Sequence, residues 1–528
     1  MSGSVLRSAG KIGFLTGLSR ILGFVRDWMI AALFGTGVNA EAFVVSFRIP
    51  NLLRDLAGEG AANAAIVPVL TEYRQKEGRG FWSLVSTLFV AMTGALALLS
   101  LLGILFAPQI VRLIVPGFVH SVEAGKLDLT VHFTRFLFPY LVLIGLSALA
   151  MGVLNSLGEF TSSAVGPVLL NACLIAAGFL FGRSYGPMAL VAGVLIGGVL
   201  QLGCQARPLL KKARLPDGRG FHPARPDFRM EPVRQIAKLF VPRILGSALY
   251  QFNTVVDSVL ASFEGIVGLG GQSALYYANR LFQLPLAVFG LALAQAALPA
   301  FSAQAARGDM GSFKETLSLA LRSILVVILP ALVGLLVLSE PIVRILFQHG
   351  EFTAYSTRIT SGALFYYALG LLSCAFLKIL ANAFYAMQDT KTPVKVMGVC
   401  LLLNVFFSLV LMRPLQVGGL ALASTFSTTA NMLCLYALLR KRIGALQSRK
   451  LFSHFCRIFA AAFAMGIAAF FYRHFVLERI VSEGRLFQAL CLAGGILLSI
   501  LMYGGFLLLF RVEEGKAAFR WFRKRPSP

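Results

Sequence analysis

The chain has 528 residues, 57% hydrophobic and only 13% charged, where an ordinary soluble domain is about 25% charged. Forty-four phenylalanines and a mean hydropathy of +0.77 exclude a disordered chain, a fibrous protein and a disulfide-rich secreted module. The net charge is +25. Against so apolar a background the excess of Lys and Arg points to cytoplasmic loops of a polytopic helical membrane protein, not to nucleic acid.

A helix needs about 20 apolar residues to cross the hydrocarbon core. In chain order the candidates begin with 12–35 and 40–57, both apolar but charged. Then come 80–111, 133–154, 162–182, 187–206 and 236–262. The next, 274–300, opens on Tyr276-Tyr277-Ala278-Asn279-Arg280. Six more follow at 316–345, 359–387, 393–412, 417–439, 454–472 and 486–510. Fourteen spans put both termini on one side. The basic stretches at 207–231, 440–450 and 512–528 then all fall in the cytoplasm, while 116–131, 183–186 and 263–272 are poor in Lys and Arg. Topology explains these charges without specific lipid or nucleic-acid binding. Met1–Lys11 runs into the first span without a small-residue cleavage motif, so no cleavable signal peptide is expected.

Covalent chemistry has no visible seat. The seven cysteines form no C-x-x-C pair, and the six histidines are scattered, so neither a zinc nor a haem site is expected. There is no G-x-S-x-G and no phosphate-binding G-x-x-x-x-G-K-[ST]. A non-enzymatic transporter without an organic cofactor fits best.

The chain repeats itself weakly. Arg20-Ile21-Leu22-Gly23 recurs as Arg243-Ile244-Leu245-Gly246, an offset of 223. Pro68 and Pro299 are offset by 231, Pro167 and Pro393 by 226, and Pro50 and Pro285 by 235. The expected organisation is an N-lobe at 1–206, a basic loop at 207–231 and a C-lobe at 232–440, followed by a helix pair at 450–511 and a basic tail at 512–528. Six helices in each lobe make the repeats parallel, an arrangement that encloses a substrate cavity and rocks about it.

Ionisable residues at membrane depth are candidate functional groups. At about 100° per residue, with Ser19 at zero, Arg20 lies near 100°, Arg26 near −20° and Asp27 near 80°. Thr16 and Gly23 share that arc, and Leu18, Ile21, Leu22, Val25 and Met29 form the apolar side. The second span carries Glu41, Arg48, Asn51, Arg54, Asp55 and Glu59 around Pro50, and Arg280 enters the eighth span just before Pro285. Arginine keeps its charge and forks onto phosphate oxygens, so this set suits a polyanionic head group; pairing with Asp27, Asp55 and Glu59 as structural bridges is the alternative. Asp257 is a carboxylate in the apolar seventh span, which suggests Na⁺ or H⁺ coupling, with Asn382, Asp389 and Lys378 as more distant candidates.

Several motifs are familiar together: Ser19-Arg20-Ile21-Leu22-Gly23-Phe24-Val25-Arg26-Asp27, Pro50-Asn51-Leu52-Leu53-Arg54, Glu59-Gly60, Tyr277-Ala278-Asn279-Arg280-Leu281 and Asp389-Thr390-Lys391-Thr392-Pro393. They closely resemble the MurJ (MviN) family of the multidrug/oligosaccharidyl-lipid/polysaccharide exporter superfamily, over essentially the whole chain. That family flips lipid II, the undecaprenyl-diphosphate-linked peptidoglycan precursor, across the bacterial inner membrane. The resemblance implies an all-α protein of two six-helix lobes plus two helices. It places essential cavity arginines at Arg20, Arg26, Arg54 and Arg280, with Ser19, Asp27, Asn51 and Glu59 beside them. It also implies a Na⁺ site at Asp257 in those members that have one, and a groove for the polyprenyl tail at spans thirteen and fourteen. Glu41 stands where the family usually has Asp. The implied substrate is lipid II; a monomer is expected, with cell-wall synthesis enzymes as candidate partners. A lipid-linked oligosaccharide flippase or a drug–cation antiporter of the same superfamily is the rival, although about twelve spans and another first-helix motif would be expected of it.

Overall fold

The computed structural model describes residues 2–54, 61–76, 80–213, 226–444 and 448–510. These are helical almost throughout, with no strand among them. Contacts divide the chain into two compact units, 1–264 and 265–528.

The first unit holds α1 (Ser2–Phe34), α2 (Val38–Arg54), α3 (Ala61–Lys76), α4 (Phe81–Leu105) and α5 (Ala107–Ile114). A 3₁₀ turn at Pro116–His120 leads to α6 (Lys126–Ser156), α7 (Thr161–Tyr185), α8 (Met188–Ala213) and α9 (Glu231–Ala261). Helix α6 is apolar on every side, and such a helix belongs in the middle. Its most apolar stretch is 72% buried, against 22% for that of α4. Accordingly α2, α3, α4, α5 and α8 all pack on α6, and α1 packs on α7.

The short α10 (Glu264–Val267) straddles the division. The second unit continues with α11 (Gly271–Pro285), a π-helical turn at Leu286–Gly290, α12 (Leu291–Ala306) and α13 (Met310–Phe347). Then follow α14 (Ala354–Leu369), α15 (Leu371–Ala386), α16 (Lys391–Leu415), α17 (Val417–Ile443), α18 (Ser448–Tyr472), a second π-helical turn at Arg473–Leu477 and α19 (Arg485–Leu509). The closing pair docks on α13. Leu325 and Leu329 of α13 share one apolar cluster with Ile458, Ala461, Ala462 and Met465 of α18 and with Tyr503 and Leu507 of α19. At the other end of the pair, Arg473 donates to the Val337 carbonyl at 3.0 Å and Arg344 to the Leu477 carbonyl at 3.1 Å.

Among the described residues each expected span overlaps a helix or a jointed helix, the second as far as Arg54. Among the described residues ten helices or jointed helices are long and apolar enough to cross a membrane, and α14 and α15, bent by 44°, make an eleventh as a broken span. Arg20, Arg26 and Asp27 keep α1 below that standard, and α2 has only 17 residues. Span 80–111 ends early, at Leu105, with α5 beginning afresh at Ala107 beside Pro108. Of the expected loop 116–131, the last part already belongs to α6. Helix α3 was not expected from the sequence. It is too short and too polar to span, and it lays Ile66, Val69 and Leu70 against Phe81, Leu84, Leu149, Val153 and Ile236. That platform also explains why α9, the expected first helix of the C-lobe, lies in the first unit: it packs on α3, α4, α5 and the 116–120 turn.

Candidate functional site

Helix α1 runs without a break through Ser19, Arg20, Arg26 and Asp27. Arg20 is exposed and Ser19 half-buried, one turn and more before the buried Arg26 and Asp27. Arg26 donates from Nε at 3.0 Å and from Nη2 at 2.8 Å to a single oxygen of Asp27. Its Nη1 donates to Oδ1 of Asn171 on α7 at 2.9 Å. The pair therefore carries little net charge, whereas Arg20 is an exposed cation on the same helix. Thr16, Ser19 and Arg20 line a pocket of about 480 Å³ together with Asn155, Phe160, Ala164 and Pro167.

On α2, Asn51 donates to the Phe47 carbonyl at 2.8 Å, one turn back across Pro50. Arg48 donates to Ser258 of α9 at 2.5 Å, and Arg54 is half-buried at the helix end. Asp55 and Glu59 lie outside the described residues, as do much of the basic loop (214–225) and the tail from 511 onward.

Glu41 is 1% exposed and faces Lys126, the first residue of α6. The Lys126 ammonium, fully buried, donates to Glu41, to Glu264 and, at 3.2 Å, to Glu123, and lies 4.6 Å from the centre of the Phe118 ring. Ser121 donates to the second oxygen of Glu264 at 2.8 Å. Beside this node the Gly117 N–H donates to the Ser262 hydroxyl at 2.9 Å. A Cβ on Gly117 would stand 2.1 Å from the Ser262 carbonyl oxygen, so only glycine fits the turn against the end of α9. The node was missed in the sequence. The signal was there in Glu123 and Lys126 three residues apart and in Glu41 and Glu264 at the same expected membrane edge.

In the second unit, the Arg280 guanidinium stacks over the Tyr276 ring at 5.0 Å and donates to its hydroxyl at 3.4 Å. Asn382 donates to the Ala294 carbonyl at 2.8 Å, which ties α15 to α12. Lys378 is exposed on α15. Asp389 is engaged as a cap: it accepts from the Thr392 N–H at 3.0 Å and hydroxyl at 2.7 Å at the start of α16, and from Arg442 at 2.5 Å. Those bonds, the Thr392 N–H foremost, pull its carboxyl down to about 2. Asp257 is half-buried on α9. Among the described residues no three His, Cys, Asp or Glu side chains group as metal ligands.

A family model described as Lipid II flippase MurJ matches residues 30–487. The Probable lipid II flippase MurJ of Haemophilus influenzae is 35% identical over 519 residues, covering 95% of this chain and 99% of the relative. That of Vibrio cholerae is 34% identical, covering 98% and 99%. The Lipid II flippase MurJ of Burkholderia cenocepacia is 35% identical over 442 residues, covering 83% and 84%. Among solved structures, Lipid II flippase MurJ in an inward closed conformation superposes with a TM-score of 0.77 at 25% identity, covering 94% of this chain and 98% of that one. An inward-facing multidrug transporter of the MATE family, at 15% identity and a TM-score of 0.66, shares the fold, covering 81% and 96%. The chain belongs to the MurJ lipid II flippase family, transporters that span the membrane many times.

Proposed function

We propose that this chain carries lipid II from the inner to the outer leaflet of the bacterial cytoplasmic membrane by alternating access. The reading rests on family membership and on one local observation: α1 presents an exposed Arg20 and a tethered Arg26 on one polar arc. A diphosphate entering a low-dielectric bundle needs its charge compensated, and guanidinium groups do this with paired, directional hydrogen bonds. Arg20, Arg26, Arg54 and Arg280 are the residues assigned to that task, with Ser19, Asp27, Asn51, Glu59 and Glu41 adjusting their charge and orientation. The polyprenyl tail stays in lipid alongside α18 and α19 while the head crosses. No bond is made or broken. The termini and basic loops face the cytoplasm in this scheme, as the charge distribution favours.

Coupling to the membrane potential, to a Na⁺ gradient, or to both completes the proposal. Asp257 is the assigned Na⁺ ligand because it is a carboxylate at membrane depth on α9. The bonds of Asp389 to Thr392 and Arg442, and of Asn382 to the Ala294 carbonyl, argue against either as its partner ligand. Replacing Na⁺ by K⁺ in reconstituted vesicles is expected to slow transport in the wild type and to have no effect in Asp257→Asn.

Purified chain titrated with lipid II tests the diphosphate assignment. Arg20→Ala is expected to weaken binding by about tenfold, as loss of a charge-assisted hydrogen bond does. Undecaprenyl diphosphate should compete, whereas the uncharged alcohol should not. Equal competition by the alcohol would contradict the assignment.

A further inference from the structure

Asn171 lies in the middle of an apolar helix, α7, and is 7% exposed. Both ends of its amide are engaged on α1. Oδ1 accepts from Arg26 Nη1 at 2.9 Å, and Nδ2 donates to the Ser19 carbonyl at 3.1 Å. Ser19 and Arg26 are seven residues apart, about two helical turns, so they lie on one face. Gly23 stands between them, and a Cβ there would lie 3.7 Å from Asn171 Nδ2. That is an ordinary van der Waals distance, so the amide lies directly over this turn of α1.

The amide can be oriented in only one way. A guanidinium only donates and a carbonyl only accepts, so a flipped Asn171 would set donor against donor and acceptor against acceptor. Asp27 holds Arg26 from the neighbouring position of the same helix; Asn171 fixes it from a different helix. An arginine with several rotatable bonds is thereby held to one direction, which lowers the ordering entropy that ligand binding would otherwise have to overcome.

We propose that Asn171 is a positioning residue of the transport site, holding the Arg26 guanidinium on the polar arc of α1 so that it meets an anionic head group already oriented. The inference rests on the diphosphate reading above and deepens it. Two readouts keep the two separable. Phenylglyoxal labelling followed by mass spectrometry reports the freedom of Arg26, with the exposed Arg20 as internal reference. Arg26 is expected to label far more slowly than Arg20 in the wild type. Asn171→Leu should raise the Arg26 rate by about tenfold, the scale of losing one hydrogen bond to a charged group, and leave Arg20 unchanged. Asn171→Ser, too short to reach Arg26, should do the same and serves if the leucine variant fails to fold.

Lipid II binding supplies the second readout through a double-mutant cycle. Asn171→Leu is expected to weaken binding by several-fold, and Arg26→Ala combined with Asn171→Leu to bind no worse than Arg26→Ala alone. An unchanged Arg26 labelling rate, or losses that simply add, would overturn the positioning role. Should labelling respond to Asn171 while Arg26→Ala binds lipid II as the wild type does, the tether stands and the diphosphate role of Arg26 falls.

Discussion

Lys126 has no solvent contact, and its ammonium faces three carboxylates, Glu41, Glu264 and Glu123. Removing the cation would leave buried charges uncompensated, a loss of about 3–5 kcal/mol. Lys126→Met is therefore expected to lower the melting temperature of the purified chain far more than Glu123→Gln, whose partner oxygen belongs to a side chain 31% exposed. Equal shifts in a thermal melt would show that the node is not the buried unit described. Asp389 is a second local case, at the helix-connecting turn. Its carboxyl is lowered from an ordinary 3.8 to about 2, first by the Thr392 N–H and then by the Thr392 hydroxyl and Arg442. A lowered folded-state value stabilises the fold above the unfolded value and loses that effect as pH falls through the folded one. The stability difference between wild type and Asp389→Asn is thus expected to be constant above about pH 4 and to shrink towards pH 2. A pH-independent difference would contradict the cap. Single residues divided sharply in how far the sequence disclosed them. The arc of Ser19, Arg20, Arg26 and Asp27 follows from helical spacing alone. Lys126 and Asn171 do not, because their partners lie 85 and 145 residues away.

The elements were the most legible part of the chain, since an apolar run of spanning length is nearly decisive. What the runs conceal is where a helix breaks. Span 359–387 is α14 and α15 bent by 44° at Gly370, where a Cβ would approach the Thr425 hydroxyl to 2.8 Å. Helix α3 stayed hidden because its apolar run, with Ile66, Val69 and Leu70 in the core, is too short for a membrane signal. The turn at 116–120 is the most demanding connection. Gly117→Ala would push a methyl into the Ser262 backbone, and an overpacked contact of this kind costs about 1–3 kcal/mol. Gly125→Ala serves as the comparison: it also sits in a turn, and its substitution meets no neighbour but strains a backbone with φ of 81°. Thermal melts should show the Gly117 variant destabilised more than the Gly125 variant; equal shifts would contradict the tight turn.

At the scale of the whole molecule, the expected lobes and the compact units differ over α9. Sequence repeats assign it to the second half by its Arg243-Ile244-Leu245-Gly246 motif, whereas its contacts lie with α3, α4, α5 and the 116–120 turn. A repeat records ancestry and order along the chain; contacts record the packing of one state. Family membership makes transport of lipid II the central claim. The most direct measurement is lipid II at the outer membrane face of bacteria depleted of their own flippase and supplied with this chain or with Arg280→Ala at equal expression. The account predicts that the wild type restores outer-face lipid II and that the variant does not. A wild-type chain that inserts correctly yet leaves lipid II confined to the inner face would contradict it.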